Sequence, residues 1–305
     1  MNQTEKLLKL KKERNAVILA HYYQDPAIQD VADFMGDSLA LAQYAQTTKA
    51  DVILFCGVHF MSETAKILNP SKTVIIPDMD AGCSLADSAA SQDFKAWVQQ
   101  HPHHTLVSYI NCSAEVKAMS DIICTSSNAE KIINSIPKNK PILFAPDKLL
   151  GKFLIKKTKR KLTLWNGHCQ VHVMFSLKEL VKLKIRYPRA KVIAHPECEE
   201  KILNHADFIG STTGIIKYTQ STEVEQFIVV TEPGVIHQMK KLNPHKEYIP
   251  LANNEGCACN ECPHMRLNTI DKMIQALNTL EPEIVLSNDL IQKAKKPLNK
   301  MLELS

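Results

Sequence analysis

Short, wholly apolar runs that stop abruptly at polar residues recur along the chain, separated by stretches whose apolar positions follow helical spacing. The first set is VILAHYYQ (17–24), LVSYINCS (106–113) and VIAHPECE (192–199). Each run ends on two chemically able residues one apart: His21 and Tyr23, Tyr109 and Asn111, His195 and Glu197. Tyr109 follows His21 by 88 positions and His195 follows Tyr109 by 86, which points to an internal repeat. In a second set a strand runs into a hydroxyl-rich helix start: VILFCGVHFMSETAKIL, IICTSSNAEKII and DFIGSTTGIIKY. Ser and Thr suit such positions because their oxygens cap orphan backbone N–H groups. A third set, TVIIPDMDAGC, PILFAPDKLLG and FIVVTEPGV, stops at proline beside an acid. Between strands, DPAIQDVADFMGDSLALAQYAQ reads as helical, with Asp25 as N-cap and Pro26 at its first position.

Continuous apolar strands alternating with helices predict parallel sheets covered on both faces. The expected architecture is α/β: three pseudo-threefold-related three-layer αβα units, each of three strands, packed around a central active site. Their expected spans are 1–100, 101–187 and 188–305, the last including C-terminal helices. Chemistry in such sheets gathers at the carboxyl ends of strands, so the three units would aim His21, Tyr23, Tyr109, Asn111, His195 and Glu197 into one cavity.

Composition narrows the setting. A chain of 305 residues that is 45% hydrophobic can bury a large core, as a soluble globular protein does. Nine cysteines with no apolar signal segment suggest a reducing cytoplasm, and no run reaches the roughly 18 to 20 apolar residues a bilayer span requires. Much of the net charge of +5 sits in GKFLIKKTKRKLTLW, which reads as a solvated basic loop. It lacks the interleaved aromatics that stack on bases, so neither a nucleic-acid nor a membrane partner is expected.

Cysteine placement sharpens the picture. Cys83 and Cys169 each follow the third strand of a unit, and Cys262 holds the matching place near EGCACNECPHMRLN. One thiolate from each unit would make a three-cysteine site on the axis, suited to an iron-sulfur cluster with one iron open to act as a Lewis acid. Cys257 and Cys259 stand without an assigned partner and read as a spare or redox-active pair. A local zinc or redox site from Cys257, Cys259, Cys262 and His264 stays open as the competing reading, as does a nucleic-acid role for the Lys152–Lys161 run.

The stretches AHYYQDPAIQDVADFMGDSL, PDMDAGCSLAD, VSYINCSAEVKAMSD, FAPDKLLG, LWNGHCQVH, AHPECEEKILNHADFIGSTTGIIKY and CPHMRLN together resemble the quinolinate synthase family, over roughly residues 17–270. The resemblance implies condensation of iminosuccinate with dihydroxyacetone phosphate to quinolinate, phosphate and water in de novo NAD biosynthesis. It implies a 4Fe-4S cluster on Cys83, Cys169 and Cys262, and functional coupling to an L-aspartate oxidase that supplies the imine. Substrate-binding positions carry over onto His21, Ser38, Tyr109, Asn111, Ser126, His195, Glu197 and Thr212, and the catalytic acids and bases onto Glu197, His195, Tyr23, His21 and Tyr109. Another three-cysteine iron-sulfur catalyst, a reductive dehydroxylase, is the alternative within enzymes; it would need an electron donor.

The remaining chemistry reads as structural. Cys56, Cys112, Cys124 and Cys198 are expected as buried thiols, Ser62 as a helix cap, and Asp147 with Lys148 as a turn and ion pair. His172 divides evenly between supporting the site and supporting the fold.

Overall fold

The computed structural model describes residues 2–253 and 260–305. Cys257 and Cys259 lie outside the described residues. The first unit runs α1 (Gln3–Glu13), β1 (Ala16–His21), α2 (Pro26–Val31), β2 (Phe34–Gly36), α3 (Ser38–Thr47), β3 (Val52–Cys56), α4 (His59–Leu68), β4 (Thr73–Ile75), α5 (Ser84–Ser88) and α6 (Gln92–Gln99). The second runs β5 (Thr105–Tyr109), α7 (Ala114–Met119), β6 (Ile122–Cys124), α8 (Ala129–Ser135), β7 (Ile142–Ala145), α9 (Lys148–Thr158), β8 (Thr163–Leu164), α10 (Gln170–Val173) and α11 (Leu177–Arg186). The third runs β9 (Lys191–Ala194), α12 (Glu200–Leu203), β10 (Phe208–Ile209), α13 (Thr212–Gln220), β11 (Gln226–Val230), α14 (Val235–Leu242) and β12 (Glu247–Pro250). A 3₁₀ turn at Met265–Leu267, then α15 (Ile270–Thr279) and α16 (Asn288–Glu303), follow it.

Each unit builds one four-stranded parallel sheet, and the order repeats: β2-β1-β3-β4, β6-β5-β7-β8 and β10-β9-β11-β12. The register repeats as well. Ala20 pairs with Cys56, Ser108 with Ala145, and Ala194 with Val230, so His21, Tyr109 and His195 emerge from equivalent rungs. Apolar side chains cover both sheet faces: in the third unit Ile193, Phe227 and Val229 pack one way while Val192, Ala194, Ile228 and Val230 pack the other. The α/β architecture of three parallel-sheet units is as expected. Among the described residues no helix is long and apolar enough to cross a membrane.

Three details differ from the sequence reading. Each sheet has four strands, not three: β8 and β12 are the additional strands of the second and third units, and in the first the helical-looking stretch from Asp25 is broken by β2. Ala32 leaves the helix with ψ 141°, and Phe34–Gly36 pairs alongside β1 instead. VILFCGV is therefore the third strand of its unit and matches PILFAPD and FIVVTEP, and the cysteines follow fourth strands. Finally, most of the basic run is the helix α9, ending at Lys159 in a left-handed conformation (φ 59°). Arg160 then donates to the Ile136 and Pro137 carbonyls.

Identical aspartates tie the amino ends of the three sheets. Asp33, Asp121 and Asp207 precede the second strand of each unit, and each carboxylate accepts the backbone N–H of Ile18, Leu106 or Val192 on the first strand at 2.8 Å. Their own amides return a hydrogen bond to the same residue's carbonyl. The pair of bonds pins strand two to strand one before the ladder starts, which lets strands of two or three residues hold register.

Candidate active site and thiol centre

The carboxyl ends of all three sheets open on one cleft. Its lining includes every catalytic, substrate-binding and cluster-ligand position expected from the sequence: His21, Tyr23, Ser38, Cys83, Tyr109, Asn111, Ser126, Cys169, His195, Glu197, Thr212 and Cys262. Repeated backbone geometry is the reason. The first strands deliver His21, Tyr109 and His195; the turns after the second strands deliver Ser38, Ser126 and Thr212 at the same 88- and 86-residue spacing. Ser38 and Thr212 each open a helix just after its cap, Asp37 or Ser211, so free helix N–H groups face the cleft beside hydroxyls.

The thiols share a second device. Cys83 and Cys169 are the N-caps of α5 and α10, and Cys262 precedes the 3₁₀ turn. Each cysteine's carbonyl accepts the N–H four residues on, from Asp87, Val173 and Arg266. Backbone N–H groups point at every sulfur: Ala86 and Leu85 toward Cys83, His172 toward Cys169, Met265 and His264 toward Cys262. Such donors favour thiolate. Burial nevertheless dominates without a cation, holding Cys83 at about 12, Cys169 well above the usual thiol value and Cys262 raised. Three half-buried thiols close enough to oppose one another's ionisation, each met by amide donors, fit a polycationic group, which would supply the missing counter-charge.

A hydrogen-bonded chain links the units across the cleft. Tyr23 Oη bonds Thr212 Oγ1 (2.9 Å) and Thr231 Oγ1 (2.8 Å); Thr231 Oγ1 meets His172 Nε2 (2.9 Å). His172 Nδ1 lies 2.8 Å from Glu197 Oε2, and the Tyr109 hydroxyl also donates to Glu197. Burial works to raise the proton affinity of Glu197, but His195, His172 and these hydrogen bonds outweigh it and hold the carboxyl at about 2. Burial lowers His195 to about 3 and His21 to about 4 and raises Tyr23 and Tyr109 well above the usual phenol value. Near neutral pH Glu197 is thus a carboxylate acceptor, His21 and His195 are neutral imidazoles, and Tyr23 and Tyr109 are phenol donors. His195 Nδ1 and Asn111 Oδ1 are buried without a hydrogen-bond partner, leaving acceptors free for a ligand.

Several site residues were left undecided, read as structural or missed by the sequence reading. His172 touches Cys169 Sγ (3.2 Å), Glu197 and Thr231 at once, although nothing in CQVHVMFS separates it from a core histidine. Glu232 lines the cleft; its oxygens accept from Gly234 N (2.7 Å), Cys262 N (3.4 Å) and Arg266 Nη2 (2.8 Å). Burial pushes its proton affinity up to about 8 against Arg266, yet donors on both oxygens match the ionised form. Asp147 is its counterpart on the third strand of the second unit, fully buried, capping α9 through Leu150 N (2.7 Å) with the Cys169 N–H facing its carboxylate. The expected Asp147–Lys148 ion pair is absent: Lys148 Nζ bonds Asn166 Oδ1. Ser62 is no cap either. It lies inside α4 with its Oγ buried and unpartnered, because that helix starts at Val58, which has no capping side chain. Cys56, Cys112, Cys124 and Cys198 are buried, as expected.

A family profile described as quinolinate synthetase A protein (NadA) matches residues 5–303. Proteins named quinolinate synthase from Rippkaea orientalis and Nostoc sp. are 58% and 59% identical over 296 residues, covering 97% of this chain and 91% of each relative. One of the same name from Synechocystis sp. is 57% identical over 97% of this chain and 93% of its own length. With the match spanning all three sheets and every cleft residue, the chain belongs to the quinolinate synthase family of enzymes.

Proposed function

We propose that the protein condenses iminosuccinate with dihydroxyacetone phosphate, releasing phosphate and water as the pyridine ring of quinolinate closes, within NAD biosynthesis in the cytoplasm. The carrying observation is the convergence of three thiols, a carboxylate and paired imidazoles and phenols from three units on one cleft. Cys83, Cys169 and Cys262 would hold a 4Fe-4S cluster, which when bound supplies Lewis-acid polarisation of a substrate oxygen. The chain's own groups supply the rest. The amide and hydroxyl donors at Ser38, Ser126 and Thr212, with Asn111 and His21, bind the carboxylates and phosphate of the substrates. Glu197, already ionised, accepts a proton that Tyr109 or His172 can help to hold; Tyr23 and neutral His195 lie across the cleft for the complementary transfers. A buried cleft also keeps water from the hydrolysable imine. An L-aspartate oxidase is the natural functional supplier of that imine, and 1–100, 101–187 and 188–305 serve as the unit boundaries.

Anaerobic reconstitution tests this. Iron, sulfide and quinolinate formation without added reductant are measured for wild type and for alanine variants at Cys83, Cys169, Cys257, Cys259 and Cys262. Loss confined to the Cys83, Cys169 and Cys262 variants is expected. Wild type without iron, dispensable Cys83 and Cys169, or a requirement for reductant overturns the reading.

A further inference from the structure

Cys169, His172 and Glu197 form a cluster distinct from the three-cysteine set. One ligand atom from each lies within 4.8 Å of the others, with His172 Nδ1 3.2 Å from Cys169 Sγ and 2.8 Å from Glu197 Oε2. Tetrahedral zinc with bonds of about 2.0 to 2.3 Å separates its ligand atoms by roughly 3.3 to 3.8 Å, so adjustments of about an ångström bring this trio to coordination distance. Thr231 Oγ1 sits 2.9 Å from His172 Nε2, where it can accept a hydrogen bond from Nε2–H and leave the Nδ1 lone pair for a metal. A partner of that kind on the far ring nitrogen is how ligating histidines are usually held. Nearby, His195 Nδ1 is buried, lacks a hydrogen-bond partner and lies 3.8 Å from Glu197 Oε2, offering a further ligand. The fourth position faces the cleft, the open arrangement of reactive zinc sites.

We propose that the cluster-free protein binds a single divalent transition metal, zinc foremost, at Cys169, His172 and Glu197. Metal entry forms S–M, N–M and O–M bonds as the Cys169 thiol releases its proton and the His172 proton settles on Nε2. The inference goes beyond the proposed function: it shares Cys169 with the cluster reading but needs neither Cys83 nor Cys262. Because both occupants use Cys169, a bound zinc ion would block cluster assembly.

Titrating the apo-protein anaerobically with Co²⁺ alone, as a spectroscopic stand-in for zinc, tests the proposal. One equivalent should give the visible bands of tetrahedral cobalt with a thiolate charge-transfer band, and Zn²⁺ should displace it. Cys169→Ala should abolish the spectrum, and His172→Gln and Glu197→Gln should weaken binding at least tenfold. Cys83→Ala and Cys262→Ala should leave it unchanged. Far-UV circular dichroism checks that His172→Gln folds, with Glu197→Gln as the independent second variant. Zinc-loaded wild type should take up iron and sulfide more slowly than apo-protein. No one-to-one cobalt spectrum, or one lost equally in Cys83→Ala, overturns the single-metal site and leaves the cluster reading untouched. Full iron and sulfide in Cys83→Ala, with cobalt behaviour as expected, would instead sink the cluster reading alone.

Discussion

The two ends of the three sheets obey different rules. At the amino ends the same residue recurs in the same role: Asp33, Asp121 and Asp207 each close one backbone N–H at 2.8 Å. At the carboxyl ends the rungs are equivalent and the residues are not. The first strands end in His-x-Tyr, Tyr-x-Asn and His-x-Glu, and the third strands lead to Val58, Asp147 and Glu232. One backbone solution, used three times, is held in place from behind while its front is free to differ. Register is thereby separated from chemistry, and a site with several unlike groups can be assembled without altering any strand.

That division can be attacked from the front first. Glu197→Gln keeps shape but removes the acceptor that His172 and Tyr109 address, so turnover should fall about 10²- to 10⁴-fold. Its urea midpoint should stay near wild type; a large loss of stability would mean that front residues also build the fold. Glu232→Ala sharpens the boundary, since this front residue is paired. Losing it strands Arg266, of which Glu261 at 3.1 Å retains part, and should cost about 2 to 3 kcal/mol in urea unfolding. No loss of stability would show that the pair is dispensable to the fold. The smallest effects belong to the back. Asp33→Ala, Asp121→Ala and Asp207→Ala should each cost about 1.5 kcal/mol, the lower end for a hydrogen bond to a charged group, here part-buried, with kcat and KM unchanged. For Asp207, burial works to raise the carboxyl, but Lys191 and the Val192 N–H outweigh it and hold it below its usual value. A depressed folded-state value contributes stability above the unfolded value of about 3.9, lost as pH falls through the folded one. The deficit of Asp207→Ala should therefore shrink below about pH 4; a deficit constant with pH would assign the effect to something other than this charge.

The sequence reading succeeded where the signal was local and long. Short, mostly apolar runs ending in His21, Tyr109 and His195 announce themselves, and their spacing carries the threefold repeat. It failed where a strand exists only because a neighbour pairs with it. Phe34–Gly36 sits inside a stretch with helical periodicity, and what makes it a strand is register against Leu19, Ala20 and His21. Missing it shifted every later strand of that unit by one place. His172 stayed undecided for a related reason: its importance comes from Cys169, Glu197 and Thr231 meeting it in space. The cysteines were legible because spacing alone aligned them, even though they follow the fourth strand.

The first sheet is completed late. Ile18, Val52, Leu54, Cys56 and Ile75 pack on one face against Met273, Ile274, Ala276 and Leu277 of α15, some two hundred residues downstream. The third sheet, by contrast, is covered mainly by its own helices and near neighbours. On a ribosome adding about 5 to 20 residues per second, that first apolar face waits roughly 10 to 45 seconds for its cover. Completion order therefore does not follow birth order: the part of the chain made first waits for one of the last helices, and nascent chains are exposed to aggregation and chaperone capture through β1, β3 and β4.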